Sequence, residues 1–314
     1  MELNRRKVFA LGAGAALAAT AGTADADTAK HEEVDLPGFR HNYAQVNGVR
    51  LHYVTGGRGE PLVLLPGWPQ TWWLYNKILP ALAARFRVIA VDLRGQGGSD
   101  KPAGGFDKKT MATDIHELVK KLGYDSVNIV GHDLGSMVAF SFAANFPAAT
   151  RKVAVMDVLH PDESFYQIPL LPRPGGFSVW WFAFNQVLQL PEQLLTGRFR
   201  YMADWLFEHT AFTPSAIDER SRSIYARAYN SSEAIRASNG WYQAFHQDIA
   251  DGKTYAKLVP PVLGLASVSS YDQFAGTLPN VANQFELVRV DGSGHWLAEE
   301  QPDLVTREII RFFS

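Results

Sequence analysis

The stretch Gly131-His132-Asp133-Leu134-Gly135 constrains this chain more than any other. It follows the apolar run Ser126 to Val130 and precedes Ser136 to Phe146, where small and apolar residues recur at helical spacing. A strand that turns directly into a helix leaves no room for side-chain bulk beside the turn, so glycines flank it. The central residue of such a turn is held exposed in a strained conformation. Here that residue is Asp133, so the turn offers a carboxylate to whatever lies above it. Taken alone, the same five residues also suit an ordinary turn with a capping Asp, and short motifs recur by chance.

Two further positions weigh against the ordinary turn. Asp157 closes Val153 to Met156, where the next strand should end, and His295 follows the strand-like run Phe285 to Val290 in Asp291-Gly-Ser-Gly-His295-Trp296. Three strand ends thus deliver a nucleophile, an acid and a histidine in a workable chain order. Other strand-like runs are His41 to Val46 and Val49 to Thr55, joined at Asn47-Gly48, then Leu62 to Leu65, Arg87 to Val91, Lys152 to Met156 and Val262 to Leu265. Helical patterns such as Met111 to Leu122 alternate with them. Alternation of this kind predicts an α/β protein whose mainly parallel sheet is covered on both faces, with its site at the carboxyl ends of the strands. From Pro161 to Ala256 no strong strand run occurs and aromatic residues crowd together, so the segment reads as a helical cap inserted between two strands.

The expected organisation is a core of 39–160 and 257–314, a cap of 161–256, and an export signal over 1–26. The last rests on Asn4-Arg5-Arg6-Lys7, a weakly apolar run from Val8 to Ala21, and Ala24-Asp25-Ala26 as a small-x-small cleavage pattern. Paired arginines ahead of an Ala/Gly-rich run resemble a twin-arginine leader, so the protein is expected in the periplasm or secreted. That run is too short and too Ala/Gly-rich to span a bilayer. A net charge of −2 without a basic block gives nucleic acid no electrostatic footprint. The chain has no cysteine, which excludes disulfides, thiolate metal sites and a cysteine nucleophile. His41, His52, His132, His160 and His246 are scattered without paired helical spacing, so no metal is expected. Gly56-Gly57-Arg58-Gly59 follows a strand but opens no helix, so neither is a phosphate-bearing cofactor.

With these residues assembled, the chain resembles the α/β-hydrolase superfamily, in its aspartate-nucleophile branch of epoxide hydrolases and dehalogenases. The resemblance runs from about Phe39 to Phe313. It is carried by Leu65-Pro66-Gly67-Trp68-Pro69, by Asp92 to Asp100, by the Asp133 turn and by Gly292-Ser-Gly-His295-Trp296. The early acid at Asp157, the export signal and Gln70-Thr71-Trp72 look most like secreted epoxide hydrolases of the Cif type. One departure is Pro66, where the family usually has a histidine that orients the loop. The resemblance implies an eight-stranded sheet and an alkyl ester formed on Asp133, hydrolysed by water activated by His295, which Asp157 orients. It also implies an oxyanion hole of the Trp68 and Leu134 backbone N–H groups. It implies a small apolar substrate and water as the partners, and it is compatible with a homodimer.

The leaving group depends on the cap. An epoxide oxygen needs a proton donor, whereas a halide needs N–H groups alone. The resemblance makes Tyr242 the epoxide-oxygen donor, and Trp181 stands where relatives have Tyr or His. An indole N–H donates a hydrogen bond but no proton at neutral pH, so Trp181 serves either as a second donor or as a halide ligand. Leu134 stands where haloalkane dehalogenases have Trp, and Leu134 and Met137 where haloacetate dehalogenases have Arg. The favoured reading is an exported, cofactor-independent epoxide hydrolase yielding a vicinal diol. The alternatives are a dehalogenase with Trp181 and Tyr242 holding halide, and a hydrolase-fold binding protein without turnover.

Overall fold

The computed structural model describes residues 34–169, 171, 174 and 178–314, so the export signal expected over 1–26 lies outside the described residues. Strands β1 (Arg40–Val46) and β2 (Val49–Gly56) form an antiparallel hairpin. Both turn residues, Asn47 and Gly48, have positive φ (42° and 77°), as a type I′ Asn-Gly turn requires. Strands β3 (Pro61–Leu65), β4 (Arg87–Val91), β5 (Val127–His132), β6 (Thr150–Met156), β7 (Val262–Ser267) and β8 (Phe285–Val290) complete one eight-stranded sheet. Its order is β1-β2-β4-β3-β5-β6-β7-β8, parallel from β4 onward. The central strands β3 and β5 are buried along their whole length and read as near-continuous apolar runs, as strands covered on both faces do.

The chain leaves β3 toward β4 on one side and returns to β5 on the other. The sheet order therefore reverses at β3, and the loops after β3 and β5 face each other across a crevice. Helices α1 (Leu79–Ala83), α2 (Lys108–Lys121) and α3 (Leu134–Asn145) belong to this half. Every residue of α3 from Leu134 to Ala143 is buried, so it shows no amphipathic stripe; it is a core helix, apolar all round. It begins at Leu134, directly after Asp133, two residues earlier than its apolar pattern suggests.

Between β6 and β7 the cap is helical, as expected: α4 (Trp181–Phe184), α5 (Leu190–Leu195), α6 (Phe199–Thr210), α7 (Glu219–Ala228), α8 (Ser232–Gln243) and α9 (Phe245–Gly252). Asp218 and Ser231 cap α7 and α8 by accepting from Ser221 and Ala234 N–H. The cap is pinned to the core by a fully buried pair, Lys108 Nζ to Asp248 Oδ2 at 2.7 Å, with Lys108 Nζ also donating to Trp241 O. After β7 come α10 (Tyr271–Val281), α11 (Leu297–Glu300) and α12 (Pro302–Phe313). Among the described residues no helix is long and apolar enough to cross a membrane.

Candidate active site

Asp133 sits at the tip of the β5-to-α3 turn with φ 52° and ψ −124°, a backbone region that costs a non-glycine residue free energy and persists only when the surroundings hold it. The surroundings do so by contact. A Cβ on Gly131 would lie 2.2 Å from Gly135 O, and one on Gly135 would lie 2.2 Å from Leu65 O. Both flanking glycines are therefore steric requirements of the turn. Gly67 lets the loop after β3 approach, because a Cβ there would meet the Asp133 side chain at 2.3 Å.

The two oxygens of Asp133 have different partners. Oδ1 accepts from Trp68 N–H at 2.9 Å, while Oδ2 lies 3.3 Å from His295 Nε2. On its far side His295 Nδ1 is 2.7 Å from Asp157 Oδ2. Asp157 ends β6 in a left-handed conformation, φ 62°, which Asp tolerates better than most residues. Its Oδ1 accepts from Ser267 N–H at 2.9 Å and from the Ser270 hydroxyl. His132 donates from Nε2 to His295 O at 2.7 Å, so the histidine beside Asp133 holds the backbone of the histidine above it.

The electrostatics follow from these contacts. Burial pushes the Asp133 carboxyl up, but the hydrogen bond and charge of His295, the charge of His132 and the Leu134 N–H outweigh it and leave it below the ordinary value. Burial pushes His295 down, yet Asp133 and Asp157 on either side raise it to about 10. At neutral pH the resting site is thus an imidazolium between two carboxylates. His132 is driven the other way, to about 4, by burial and by the nearby His295.

Above Asp133 lies a cavity of about 430 Å³, lined by Trp68, Asp133, His295, Trp296 and the cap residues Trp181, Phe182, Leu206 and His209 among others. Tyr242, on α8, packs its ring edge-on against two lining residues, Trp68 at 5.5 Å and Phe182 at 5.4 Å. Burial, then the charge of Asp133, raises its hydroxyl well above the usual phenol value, with a hydrogen bond from Trp181 among the opposing influences. Asp133, Asp157, His295, Trp68 and Trp181 therefore share one cavity, and Tyr242 stands against its wall. Among the described residues no cluster of three or more His, Asp or Glu could hold a metal.

Several supporting residues escaped the sequence reading. With proline at 66, the loop after β3 is held by Gln96, whose Nε2 donates to Gly67 O at 3.1 Å and Gln70 O at 2.6 Å, and by the Tyr75 hydroxyl on Leu65 O. A second Asp–His pair joins His52 Nδ1 to Asp92 Oδ2 at 2.7 Å, with His41 Nδ1 2.8 Å from His52 Nε2. Asp92 also accepts from Trp72 N–H and Gly98 N–H. The hollow beside it, about 20 Å³, holds roughly one water. This pair thus ties β2, the Trp72 turn and the 92–98 loop together, whereas the pair with a substrate-sized cavity is His295 with its two aspartates. Asp92 lies in a segment that carried the family resemblance; Ser267, Ser270 and the His52 contact had no signal in one sequence.

The family model for the alpha/beta hydrolase fold matches residues 60–302. The chain is 35% identical to the soluble epoxide hydrolase of Corynebacterium sp. (strain C12), over 87% of this chain and 97% of that one. Among solved structures, wild-type Cfl2 from Burkholderia cenocepacia aligns with a TM-score of 0.79 at 34% identity, covering 88% of this chain and 96% of that one. The Cif epoxide hydrolase from Acinetobacter nosocomialis has a TM-score of 0.82 but only 21% identity, over 90% and 91% of the two chains. The likeness to that Cif protein is therefore one of fold, and the Corynebacterium relative carries the stronger sequence similarity.

Proposed function

The chain belongs to the α/β-hydrolase fold family, in its epoxide-hydrolase and dehalogenase branch, and we propose that it is an exported epoxide hydrolase working through an ester on Asp133. The observation that carries this reading is the division of labour between the Asp133 oxygens. With Oδ1 on the Trp68 N–H, Oδ2 is the oxygen that attacks an epoxide carbon. The carbon–oxygen bond of the ring breaks, and its electron pair passes to the ring oxygen, which takes a proton from Tyr242 with Trp181 as a second hydrogen-bond donor.

Esterification then changes the protonation of the site. It removes the Asp133 charge, one of the two that raise His295 to about 10, so the imidazolium surrenders its proton, which restores the Tyr242 hydroxyl by way of water, and His295 becomes a base. It takes a proton from water, and the hydroxide adds to the ester carbonyl. The charge that develops on Oδ1 falls on the Trp68 and Leu134 N–H groups. Collapse of the tetrahedral species expels Oδ2, which takes the proton from His295 and leaves as the second hydroxyl of a vicinal diol; the water oxygen stays on Asp133, whose acid proton passes to His295 and restores the resting site. Asp157 holds the His295 ring at Nδ1 in both of its protonation states.

The aromatic lining favours an uncharged, apolar substrate, and neither Leu134 nor Met137 could clamp a carboxylate. The 1–26 segment supports export of the folded protein, and together with the acid at Asp157 it supports a Cif-like variant of the branch. A dehalogenase is the second reading, favoured by the convergence of Trp181 and Tyr242, two donors that could hold a halide. The deciding experiment exposes a His295→Gln variant to a hydrophobic terminal epoxide and, separately, to a haloalkanoate, and reads intact mass with peptide mapping. Removing the base stalls the second step, so an adduct on Asp133 from the epoxide alone is expected. An adduct from the halide alone would make the protein a dehalogenase, and none from either would favour binding without turnover.

A further inference from the structure

Glu300, the last residue of α11, lies five residues beyond His295 and outside the cavity, and its two carboxylate oxygens grip different parts of the protein. Oε2 accepts from the backbone N–H of Phe212 at 2.6 Å and of Thr213 at 2.8 Å, in the cap segment that follows α6. Oε1 accepts from the N–H of Gly294 at 2.9 Å and of Trp296 at 3.2 Å, the residues on either side of His295, with the Ser293 hydroxyl at 3.4 Å. Between these grips the two segments touch directly. His295 N–H donates to Thr210 O at 3.0 Å, and Trp296 Nε1 donates to Thr210 Oγ1 at 2.8 Å. The fit is close enough that a Cβ on Gly294 would lie 2.2 Å from Thr210 O.

We propose that Glu300 is a positioning residue that fixes the His295 segment against the end of α6 and thereby sets where the imidazole stands over the ester. The proposal rests on the two-step reading above and assigns Glu300 to the second step. Attack by Asp133 Oδ2 needs no base, so loosening the His295 segment leaves ester formation intact. Ester hydrolysis needs Nε2 held over one carbonyl with a water between, and an error of about 1 Å in such a placement can cost up to about 100-fold in rate. Four N–H donors converge on this carboxylate, and a neutral amide cannot satisfy them, because its nitrogen would face donors with a donor. Glu300→Gln therefore loses one of the two grips whichever way the amide turns. Glu300→Asp keeps both oxygens but is one methylene too short to reach both segments.

The test is a single-turnover experiment with enzyme in excess over a hydrophobic terminal epoxide, quenched at intervals and read by intact mass. It compares wild type, His295→Gln, Glu300→Gln and Glu300→Asp. Ester formation at the wild-type rate is expected in both Glu300 variants, with hydrolysis slowed about 10- to 100-fold so that the ester accumulates. Should one variant fail to fold, the other gives the same readout. Wild-type hydrolysis, or a parallel loss of both steps, in a folded Glu300 variant would overturn the proposal while an ester in His295→Gln left the two-step reading standing. No ester even in His295→Gln would overturn both.

Discussion

At the scale of single residues, this site works by giving identical groups unlike surroundings. Asp133 and Asp157 are both carboxylates facing one imidazole. Asp133 faces the Trp68 N–H with one oxygen and His295 Nε2, at a looser 3.3 Å, with the other, whereas Asp157 spends its two oxygens on Ser267, Ser270 and a close 2.7 Å contact to His295 Nδ1. Tyr242, with its hydroxyl raised by burial and by the Asp133 charge, is a poor acid, and in the proposed reaction it donates only to a developing alkoxide. Tyr242→Phe is expected to slow ester formation by about 100-fold or more while leaving hydrolysis of a preformed ester close to wild type; separate measurement of the two phases checks this. Asp133, Asp157 and His295 were legible in the sequence because each follows a strand and stands at a turn. Ser267, Ser270 and Glu300 were not, because they act through backbone and side-chain contacts between segments far apart in the chain.

At the scale of elements, the glycines of the Asp133 turn and the strand-helix alternation made the sheet and the inserted cap readable in advance. What patterning could not supply is how the cap is anchored. Lys108 and Asp248 sit in elements 140 residues apart, their side chains wholly buried against each other, and nothing in either helix's periodicity marks them as partners. Burial raises the Asp248 carboxyl and Lys108 opposes that rise, so removing the lysine leaves a carboxylate without its counter-charge. Lys108→Met should cost about 3–5 kcal/mol, measured as a fall in the denaturation midpoint. Lys108→Met combined with Asp248→Leu should recover part of that loss. A single variant as stable as wild type would mean that the pair contributes nothing to holding the cap. The early start of α3 was also hidden, since Leu134 and Gly135 read as turn residues until the close approach of Leu65 O is known.

Across the whole molecule, buried titratable groups set the response to pH, and Glu299, raised to about 7 by burial, partly offsets the histidines between about pH 4.5 and 7. His132 and His160 are held neutral, each lowered to about 4 chiefly by burial. Their unfolded forms take up protons near pH 6.5, so the unfolded chain binds more protons and stability falls as pH drops from about 6.5 through 4. His295 has the opposite sign. Raised to about 10 by its two carboxylates, it contributes stability that is complete below about pH 6.5 and is lost as pH climbs through 10. Thermal midpoints measured across this range should therefore fall on both sides of neutrality. His295→Gln should flatten the alkaline limb, ease the part of the acid limb due to His132, whose shift owes partly to His295, and leave the part due to His160 in place.

In the proposed reaction Asp133 itself attacks the substrate and gives up an oxygen to it. This is tested most directly by one turnover in heavy-oxygen water, with enzyme in excess over a hydrophobic epoxide, followed by mass analysis of the diol and of the peptide carrying Asp133. The expected products are a diol without the heavy label, its new hydroxyl having come from Asp133 Oδ2, and an Asp133 peptide heavier by one labelled oxygen. A labelled diol with an unlabelled peptide would mean that water attacks the epoxide directly, and would contradict the proposed reaction.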